Sequence, residues 1–444
     1  MLEAVANIVR IPELRKKLAI TAGILALARI GIWIPVPGVD VDRVRELVSS
    51  VARGAFSKVF ALADLFAGGA LSQASLFALG VMPYITAAIV FQVLVAVVPT
   101  LEKIAKEGES GRRRINQFTR YATVVICVIQ GFALASGAFT TKPSLVTPDY
   151  SFFSFVFSAV TAMTAGSLLL MWMGEQIDEF GIGSGMSLII MVGIVSRLPA
   201  AIQHLVKRFN WTLGSSEQGD IDPARLVMLL ALFIFMVMAV VMLTQAQRRI
   251  PMNHARRGGM GFAQRSYLPL KVNMAGVISI IFAQAIMMVP GILQRIDNPI
   301  IRKLLSPFDM WSFWYVTIYM LLIVFFTYFY TAVVFNPLEH AHQFKQYGAF
   351  IPGIRPGRKT AEYLEWVMNR ITLPGAIFLA IIAVFPQIVS NTMSVDYLVA
   401  SFFGGTGLLI VVGVALDLVQ RIENYFMMQY YDGFLKGGRI RGRR

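Results

Sequence analysis

The side chains best suited to catalysis or metal binding in this sequence are four histidines and one cysteine. They are His204, His254, His340, His342 and Cys127. An active site or metal centre needs several such groups in a defined arrangement. Only His340 and His342 lie close together in the sequence, and no H-E-x-x-H pair occurs. We therefore predict no catalytic site, no metal and no cofactor, which makes an enzyme the least favoured class.

The segment 353–360, Gly-Ile-Arg-Pro-Gly-Arg-Lys-Thr, is the nearest approach to a nucleotide-binding motif. A P-loop has four residues between its two glycines and a lysine directly after the second glycine. Here three residues separate Gly353 from Gly357, and Arg358 stands before Lys359. The sequence therefore predicts that this chain does not hydrolyse nucleotides.

The composition indicates the environment of the remaining residues. Of 444 residues, 56% are hydrophobic and 15% are charged, whereas soluble domains have about 45–50% and about 25%. A bilayer core about 30 Å thick is crossed by about 20 apolar helical residues. Ten such runs occur, at 18–36, 76–98, 120–139, 152–173, 184–205, 222–244, 273–293, 311–334, 371–391 and 397–420. We predict an all-α polytopic membrane protein with ten transmembrane helices.

Lysine and arginine are distributed unevenly between the two sets of loops. Of 40 such residues, 27 lie on the side that contains both termini and 11 on the opposite side. Because basic loops face the cytoplasm, we predict that both termini are cytoplasmic. Loops 245–272 and 335–370 carry 11 of the cytoplasmic basic residues. The positive charge of these loops either only orients the chain in the membrane or forms a surface that binds an acidic partner such as ribosomal RNA.

Ionisable residues within the spans would mark a path for ions or protons. The candidates are Arg29 in the first span, Glu175 at the end of the fourth and Asp417 late in the tenth. A secondary transporter is one hypothesis for a chain of this class. It would have more charged or carbonyl ligands at the membrane midplane. Arg29 is equally compatible with snorkelling or helix pairing. The carrier hypothesis is therefore weakened but stays open at this point.

Residues 57–72 form a semi-apolar segment about half as long as a span needs to be, interrupted at Gly68-Gly69. A broken helix at membrane depth is tolerated only where it is buried in protein or lines a cavity. The segment is therefore either a re-entrant half-helix or an amphipathic helix on the outer surface. Its apolar face of Leu62, Leu65 and Phe66 favours the re-entrant form.

Two pairs of aliphatic residues lie four positions apart, on one face of a helix. They are Val81 and Ile85 in the second span, and Met186 and Ile190 in the fifth. Such pairs are usual in packed cores. An aliphatic constriction would also suit a pore that excludes ions by dewetting and opens for a large polymer. The residues alone do not distinguish the two interpretations.

Seven segments carry a resemblance that extends over nearly the whole chain. They are LGVMPYITAAI (79–89), EGESGRRRI (107–115), LMWMGEQI (170–177), GIGSGMSLII (181–190), LPLKVNMAGV (268–277), FIPGIRPGRKTAEYL (350–364) and FFGGTGLLIVVGV (402–414). In this order, the segments resemble the SecY family of protein-conducting channel subunits. The match is far longer and more specific than a short motif.

This resemblance implies two inverted pseudo-symmetric five-helix halves, residues 1–210 and 211–444, around a central pore. It also implies a pore ring of aliphatic side chains, closed by a re-entrant plug helix. The ring would consist of Val81, Ile85, Met186, Ile190, Ile281 and Ile410. The plug would be residues 57–72, including Leu62, Leu65, Phe66, Gly68 and Gly69. Many family members have isoleucine in the ring where this chain has Val81 and Met186.

The function that the resemblance implies is a channel through which unfolded secretory proteins cross the plasma membrane. A lateral gate, between the second-to-third and seventh-to-eighth spans, would release transmembrane segments into lipid. Gln92 and Gln130 are candidate members of that gate, although they could equally hydrogen-bond between helices. The docking residues of the two basic loops would be Arg256, Arg257, Arg355, Arg358 and Lys359.

The implied partners include a source of energy, because the chain itself has no nucleotide-binding motif. They are the SecA motor ATPase, the ribosome with its RNA and proteins, small membrane subunits of the SecE and SecG types, signal sequences and nascent chains, and membrane lipids. The absence of a transit peptide favours the bacterial plasma (inner) membrane.

Overall fold

The computed structural model describes residues 12–44, 46, 64, 67–140, 145–148, 150–207, 209, 222–254, 266–293, 312–393 and 405–437. The chain forms two compact units, of which the first comprises Met1–Pro199 and Val414–Arg444 and the second Ala200–Gly413. The first boundary lies near the predicted division at residue 210, whereas the C-terminal part of the chain belongs to the first unit. The pseudo-symmetric relation between two halves stays a prediction.

The first unit is helical. Its helices are α1 (Pro12–Ile30), α2 (Met82–Val97), α3 (Pro99–Lys106), α4 (Glu109–Thr140), α5 (Phe152–Phe180) and α6 (Gly185–Val195). Pro83 and Pro99 lie in the first turns of α2 and α3, where the missing N–H costs no helical hydrogen bond. The axis of α3 is bent by 99° from that of α2.

Two apolar clusters hold this unit together. One joins α1, α5 and α6 around Ile177 and Leu188, both of which are fully buried. The other joins α4 and α5 around Phe155 and includes Cys127. Cys127 is a buried free thiol, as its position inside an apolar run predicts.

The helix α13 (Gly405–Gly437) contacts α1 through Tyr425. The Tyr425 hydroxyl donates a hydrogen bond of 2.8 Å to Glu13 Oε2, and Lys17 Nζ lies 5.1 Å from the centre of the phenol ring. The hydrogen bond to the Glu13 carboxylate raises the pKa of Tyr425, because the phenolate would face a negative charge. The C-terminal part of α13 is thereby fixed to α1 within the first unit.

The second unit combines helices with three short strands. Its elements are α8 (Pro223–Gln245), β1 (Gln247–His254), β2 (Ser266–Lys271), α9 (Ile278–Leu293), α10 (Phe313–Val334), α11 (Pro337–Gln346), β3 (Ala349–Phe350) and α12 (Arg358–Met393). The helices α7 (Leu198–Lys207) and α13 contribute residues to both units. The core lies between α8, α9, α10 and α12, around Val240, Ile280, Ile323 and Leu379.

The prediction of an all-α fold is incomplete, because the two long basic loops contain a three-stranded sheet of order β2-β1-β3. β1 pairs antiparallel with both neighbours, and Ile250 lies opposite Leu268. Along β1, Ile250 and Met252 are buried whereas Pro251 and Asn253 are exposed, which is the period of two typical of a strand with one buried face. This alternation is too short and too polar to register as an apolar span.

Six helices in the described part of the chain are long and apolar enough to cross a membrane, or seven if the bent pair α2 and α3 counts as one broken span. The six are α4, α5, α6 with α7, α8, α10 with α11, and α12. Helices also lie at the three other predicted spans, but α1 carries five charged residues among its 19 and the described α9 has 16 residues. The chain is a multi-pass membrane protein, and the count of ten spans stays a prediction.

The cluster between the sheet and α12 leads to a prediction about stability. Leu364 is 0% exposed and shares this cluster with Ile250, Phe335 and Met368. Leu364→Ala should lower the free energy of unfolding by about 2–5 kcal/mol, because a cavity replaces buried methyl groups. Denaturant unfolding of the chain in detergent micelles measures this change. Leu338→Ala, at a side chain that is 56% exposed, is the control; an equal loss in both variants would contradict the prediction.

Candidate functional site

Four residues of the predicted ring lie in the first unit. Val81 is the N-cap of α2 and Ile85 lies one turn later, while Met186 and Ile190 lie on α6. Val81, Ile85 and Met186 belong to one apolar cluster, and Ile190 is buried. The structure therefore brings three of the four residues into one cluster, which also includes residues of α1 and α5. Their role in a pore ring stays a prediction.

Two further ring residues lie in the second unit. Ile281 on α9 and Ile410 on α13 are both buried. The adjacent residues Ile280 and Leu409 belong to the core of that unit. The predicted ring therefore draws on both units, and its members within each unit lie in apolar surroundings.

Glycines allow α5 to fix the position of Met186. A Cβ atom on Gly174 would lie 2.7 Å from Met186 Sδ, and one on Gly185 would lie 2.0 Å from the Gly174 carbonyl oxygen. A side chain on Gly174 would displace the flexible end of Met186, whereas Gly185 faces the backbone of Gly174, which cannot give way, so glycine is required at position 185. Asp178 fixes the start of α6, because its Oδ1 accepts a hydrogen bond of 2.7 Å from Gly185 N.

Part of the predicted plug lies among the described residues. Leu62, Leu65 and Phe66 lie outside them, whereas Gly68 and Gly69 have φ angles of +63° and +95°, the region that favours glycine. A Cβ atom on Gly68 would lie only 2.8 Å from Gly193 Cα. The chain at Gly68 therefore packs backbone to backbone against α6.

A buried ion pair lies in the same segment. Asp64 is 2% exposed, and its carboxylate pairs with the guanidinium of Arg197, in the turn between α6 and α7. Asp64 Oδ1 also accepts a hydrogen bond of 2.9 Å from Ser72 N. Arg29 of α1 donates from Nη1 to the Gly68 carbonyl oxygen at 2.9 Å. Buried charges are tolerated when they are paired and hydrogen-bonded, so these contacts favour one arrangement of the segment.

Glu175 and Asp417, the other ionisable residues near the spans, also have cationic partners. Glu175 accepts hydrogen bonds of 2.8 and 2.9 Å from Arg120, and Asp417 accepts one of 2.8 Å from Arg421. The described part of the chain contains no cluster of three or more His, Cys, Asp or Glu side chains able to hold a metal ion. Both carboxylates therefore have a structural explanation.

The two predicted gate residues lie on helices that pack against each other. Gln92 is exposed on α2, and Gln130 is half-buried on α4. These helices contact one another in the first unit, and Phe91 stacks on Phe118 with ring centres 6.4 Å apart. A role for Gln92 and Gln130 in a lateral gate stays a prediction.

The predicted docking residues divide into two groups. Arg256 and Arg257 lie outside the described residues. Arg355, Arg358 and Lys359 lie between β3 and the first turn of α12, and all three side chains are exposed. Arg358 Nε and Lys359 Nζ lie 3.3 and 3.0 Å from the carboxylate of Glu362.

Arg355 differs from its two basic neighbours. No carboxylate among the described residues lies within ion-pair distance of its guanidinium, and its carbonyl oxygen accepts a hydrogen bond of 2.9 Å from Thr360 Oγ1. The Thr360 side chain is buried, so this hydrogen bond anchors the backbone of the turn to the protein interior. The Arg355 side chain is therefore presented to solvent on a fixed turn.

The chain resembles known proteins over its full length. The SecY family model matches residues 75–419. The protein translocase subunit SecY of Thermus thermophilus is 42% identical over 457 residues, covering 100% of both chains. The chain belongs to the SecY family. This membership confirms the resemblance predicted from the seven segments, and with it the predicted class, a protein-conducting channel subunit.

Solved structures share the fold at lower sequence identity. A protein-conducting channel is 16% identical and covers 92% of each chain with a TM-score of 0.59. Canine Sec61 in a ribosome–channel complex is also 16% identical, with the same coverage and a TM-score of 0.56. The SecY-family chain therefore has the helical fold of these channels.

The sequence of this SecY-family chain did not identify two residues of the site, Asp64 and Arg197. Asp64 is the sole carboxylate in the apolar stretch 57–72, and an isolated ionisable residue at membrane depth is itself a signal of function. Arg197 lies within the predicted span 184–205 but is one of the 11 basic residues assigned to the non-cytoplasmic side. The two residues are 133 positions apart, and no local pattern connects them.

Proposed function

We propose that this chain is the channel subunit through which unfolded secretory proteins cross the bacterial plasma membrane. The observation that carries the proposal is the apolar setting of the predicted ring. Ile190 and Ile281 are each 8% exposed, and Val81 and Ile410 are each 4% exposed. A constriction lined by such side chains excludes ions by dewetting and offers no fixed ligand that would hold a translocating chain.

The plug and the gate complete the proposed channel. Residues 57–72 close the resting pore, and the backbone contact between Gly68 and Gly193 supports a plug that rests on α6. Transmembrane segments leave sideways into lipid through a gate that includes Gln92 and Gln130. Ten spans, with both termini in the cytoplasm, place loops 245–272 and 335–370 on the side where proteins are synthesised.

The proposed partners supply energy and complete the assembly. A SecA-type motor ATPase or the ribosome docks at Arg256, Arg257, Arg355, Arg358 and Lys359. The canine structure of this fold occurs in a ribosome–channel complex, which supports the ribosome as a partner. Small membrane subunits of the SecE and SecG types and membrane lipids surround the chain, while signal sequences and nascent chains pass through it.

Photocrosslinking from the predicted ring tests the proposed function. A secretory precursor is arrested during translocation, and a photoreactive amino acid is placed in turn at Ile85, Ile190, Ile281 and Ile410. We expect crosslinks to the precursor from these positions, because a constriction must touch the chain that passes through it. The measurement is the yield of crosslinked precursor.

Control positions on apolar, exposed surfaces make this experiment specific. Phe157 is 68% exposed in the first unit and Val227 is 67% exposed in the second, and both should crosslink to lipid instead. Precursor contacts from the controls but from none of the four ring positions would contradict the ring. The absence of precursor contacts throughout, with transport of a small solute, would favour the secondary transporter.

A further inference from the structure

The end of the predicted plug is held in the first unit by two arginines. We define the plug end as Asp64 and residues 67–75. Arg197 pairs with the Asp64 carboxylate and donates from Nη2 to Ser72 Oγ at 3.2 Å. Arg29 donates from Nη1 to the Gly68 carbonyl oxygen at 2.9 Å. One arginine therefore binds side chains of the plug end, and the other binds its backbone.

Hydrogen bonds within the plug end keep these groups in place. Gly69 N donates to the Asp64 carbonyl oxygen at 2.9 Å, and Ser72 N donates to Asp64 Oδ1 at the same distance. Ser72 Oγ donates to the Gly69 carbonyl oxygen at 3.0 Å. The carboxylate is thus oriented by the loop that follows it, and it presents its second oxygen to Arg197.

The backbone of the plug end closely approaches α6 and Arg197. A Cβ atom on Gly68 would lie 2.8 Å from Gly193 Cα, and one on Gly69 would lie 3.2 Å from Arg197 Nη2. Both arginines are therefore aligned against successive residues of the same turn. The Asp64 and Arg197 side chains are only 3% and 15% exposed, so the pair is largely protected from water and screening.

The paired charges favour this placement of the plug end over a displaced one. Removing one member of a buried ion pair leaves the other charge without compensation, which is strongly unfavourable. Displacement of the plug end would separate Asp64 from Arg197 and remove the carbonyl acceptor of Arg29. Guanidinium groups on α1 and in the α6–α7 turn would then face the space that the plug end had filled.

We propose that Arg29 and Arg197 are the positioning residues that hold the plug closed, with the Asp64–Arg197 pair as the contact that must break when the channel opens. This inference rests on the proposed channel function and deepens it. The contact determines how readily the resting channel opens, and loss of the contact shifts the plug towards its displaced state.

Labelling of a buried cysteine tests the position of the plug directly. Ala70 is fully buried, so we place Ala70→Cys in a Cys127→Ala background, which removes the natural thiol. A membrane-impermeant maleimide is added to vesicles that contain the full chain with its partner subunits. We expect protection of the new thiol in the parent chain and labelling that is faster by about tenfold or more in Asp64→Asn and in Arg197→Gln.

The control variant breaks a different ion pair in the same unit. Arg120→Gln removes the pairing with Glu175, which is more exposed than the Asp64–Arg197 pair, and it should leave residue 70 protected. Ion flux through the resting channel should rise in the two plug variants and stay at the parental rate in the control. Because the first readout is labelling, it does not depend on translocation activity.

A conservative variant covers the case in which the charge-removing variants fail to assemble. Arg197→Lys keeps the positive charge, but its compact ammonium replaces the guanidinium whose Nη2 contacts both Asp64 Oδ2 and Ser72 Oγ, so labelling should be intermediate. Protection at the parental level in every variant that assembles, Arg197→Lys included, would overturn the proposal. If that result accompanies precursor crosslinks from Ile85 and Ile190, the channel function stands and only the arginine contacts are wrong.

Discussion

Arg355→Glu should abolish motor-driven translocation while the chain stays folded in the membrane. The turn that carries Arg355 is shaped by its backbone, because Gly353 and Gly357 have φ angles of +82° and +106°. The arginine side chain itself is exposed and makes no ion pair with the described residues. Reversal of its charge should therefore spare the fold and act on the docked partner. Like charges at an interface cost several kcal/mol, which corresponds to a loss of roughly 100-fold or more.

The measurement is the rate at which a secretory precursor enters vesicles when the motor ATPase and ATP are supplied. Lys345→Glu is the matched control, since Lys345 is exposed on α11 in the same unit and the change in charge is identical. We expect the control to retain most of the activity. Undiminished translocation by Arg355→Glu would contradict a role of Arg355 in docking. Equal losses in both variants would indicate that the total charge of the loop, not Arg355 itself, determines docking.

Ile190→Asn should make the resting channel permeable to ions. Ile190 is buried on α6, and in the proposed ring it is one of six aliphatic side chains that exclude water. Removing an isoleucine side chain from water is favourable by about 1.5–3 kcal/mol. An amide side chain at this position should therefore lower the free energy needed to fill the constriction with water by a similar amount. Because about 1.4 kcal/mol corresponds to a factor of ten, we expect a rise in ion flux of roughly 10- to 100-fold.

Conductance of planar bilayers that contain the purified chain and its partner subunits provides the measurement. Ile189→Asn is the control, because Ile189 is an adjacent buried residue of the α1, α5 and α6 cluster outside the predicted ring. A leak confined to Ile190→Asn would support the ring. A leak of equal size from both variants would instead indicate that the unit has been loosened in general.

Most helices of this fold follow from local sequence because a span is a continuous apolar run. Each of the ten predicted runs overlaps a helix in the described residues, although the count of ten spans stays a prediction, and α8 is the clearest example, with a mean hydropathy of 3.2. Strand β1 is not predicted by local sequence, because its signal is a single alternation of Ile250 and Met252 in a basic stretch. Its partner β3 lies about a hundred residues later, and no local rule predicts that pairing.

The sequence predicted which residues are grouped where they lie close along the chain or in a long family motif, although their roles stay predictions. Val81 with Ile85, and Met186 with Ile190, are examples, as is the exposed Arg355. The sequence did not show that Arg358 and Lys359 share the carboxylate of Glu362, which distinguishes them from Arg355. Nor could it pair Asp64 with Arg197, because only the folded chain determines which buried charges meet.

The charge on Asp64 has a consequence for energised membranes. On the orientation proposed above, an outward movement of the plug end carries a negative charge in the direction that an inside-negative voltage drives anions, while Arg29 and Arg197 remain on their helices. One elementary charge that crosses the whole field gains about 2.3 kcal/mol per 100 mV, and a carboxylate that crosses part of the field gains that part. The voltage across the membrane would thus act on the closed plug directly, as it acts on the gating charge of a voltage sensor.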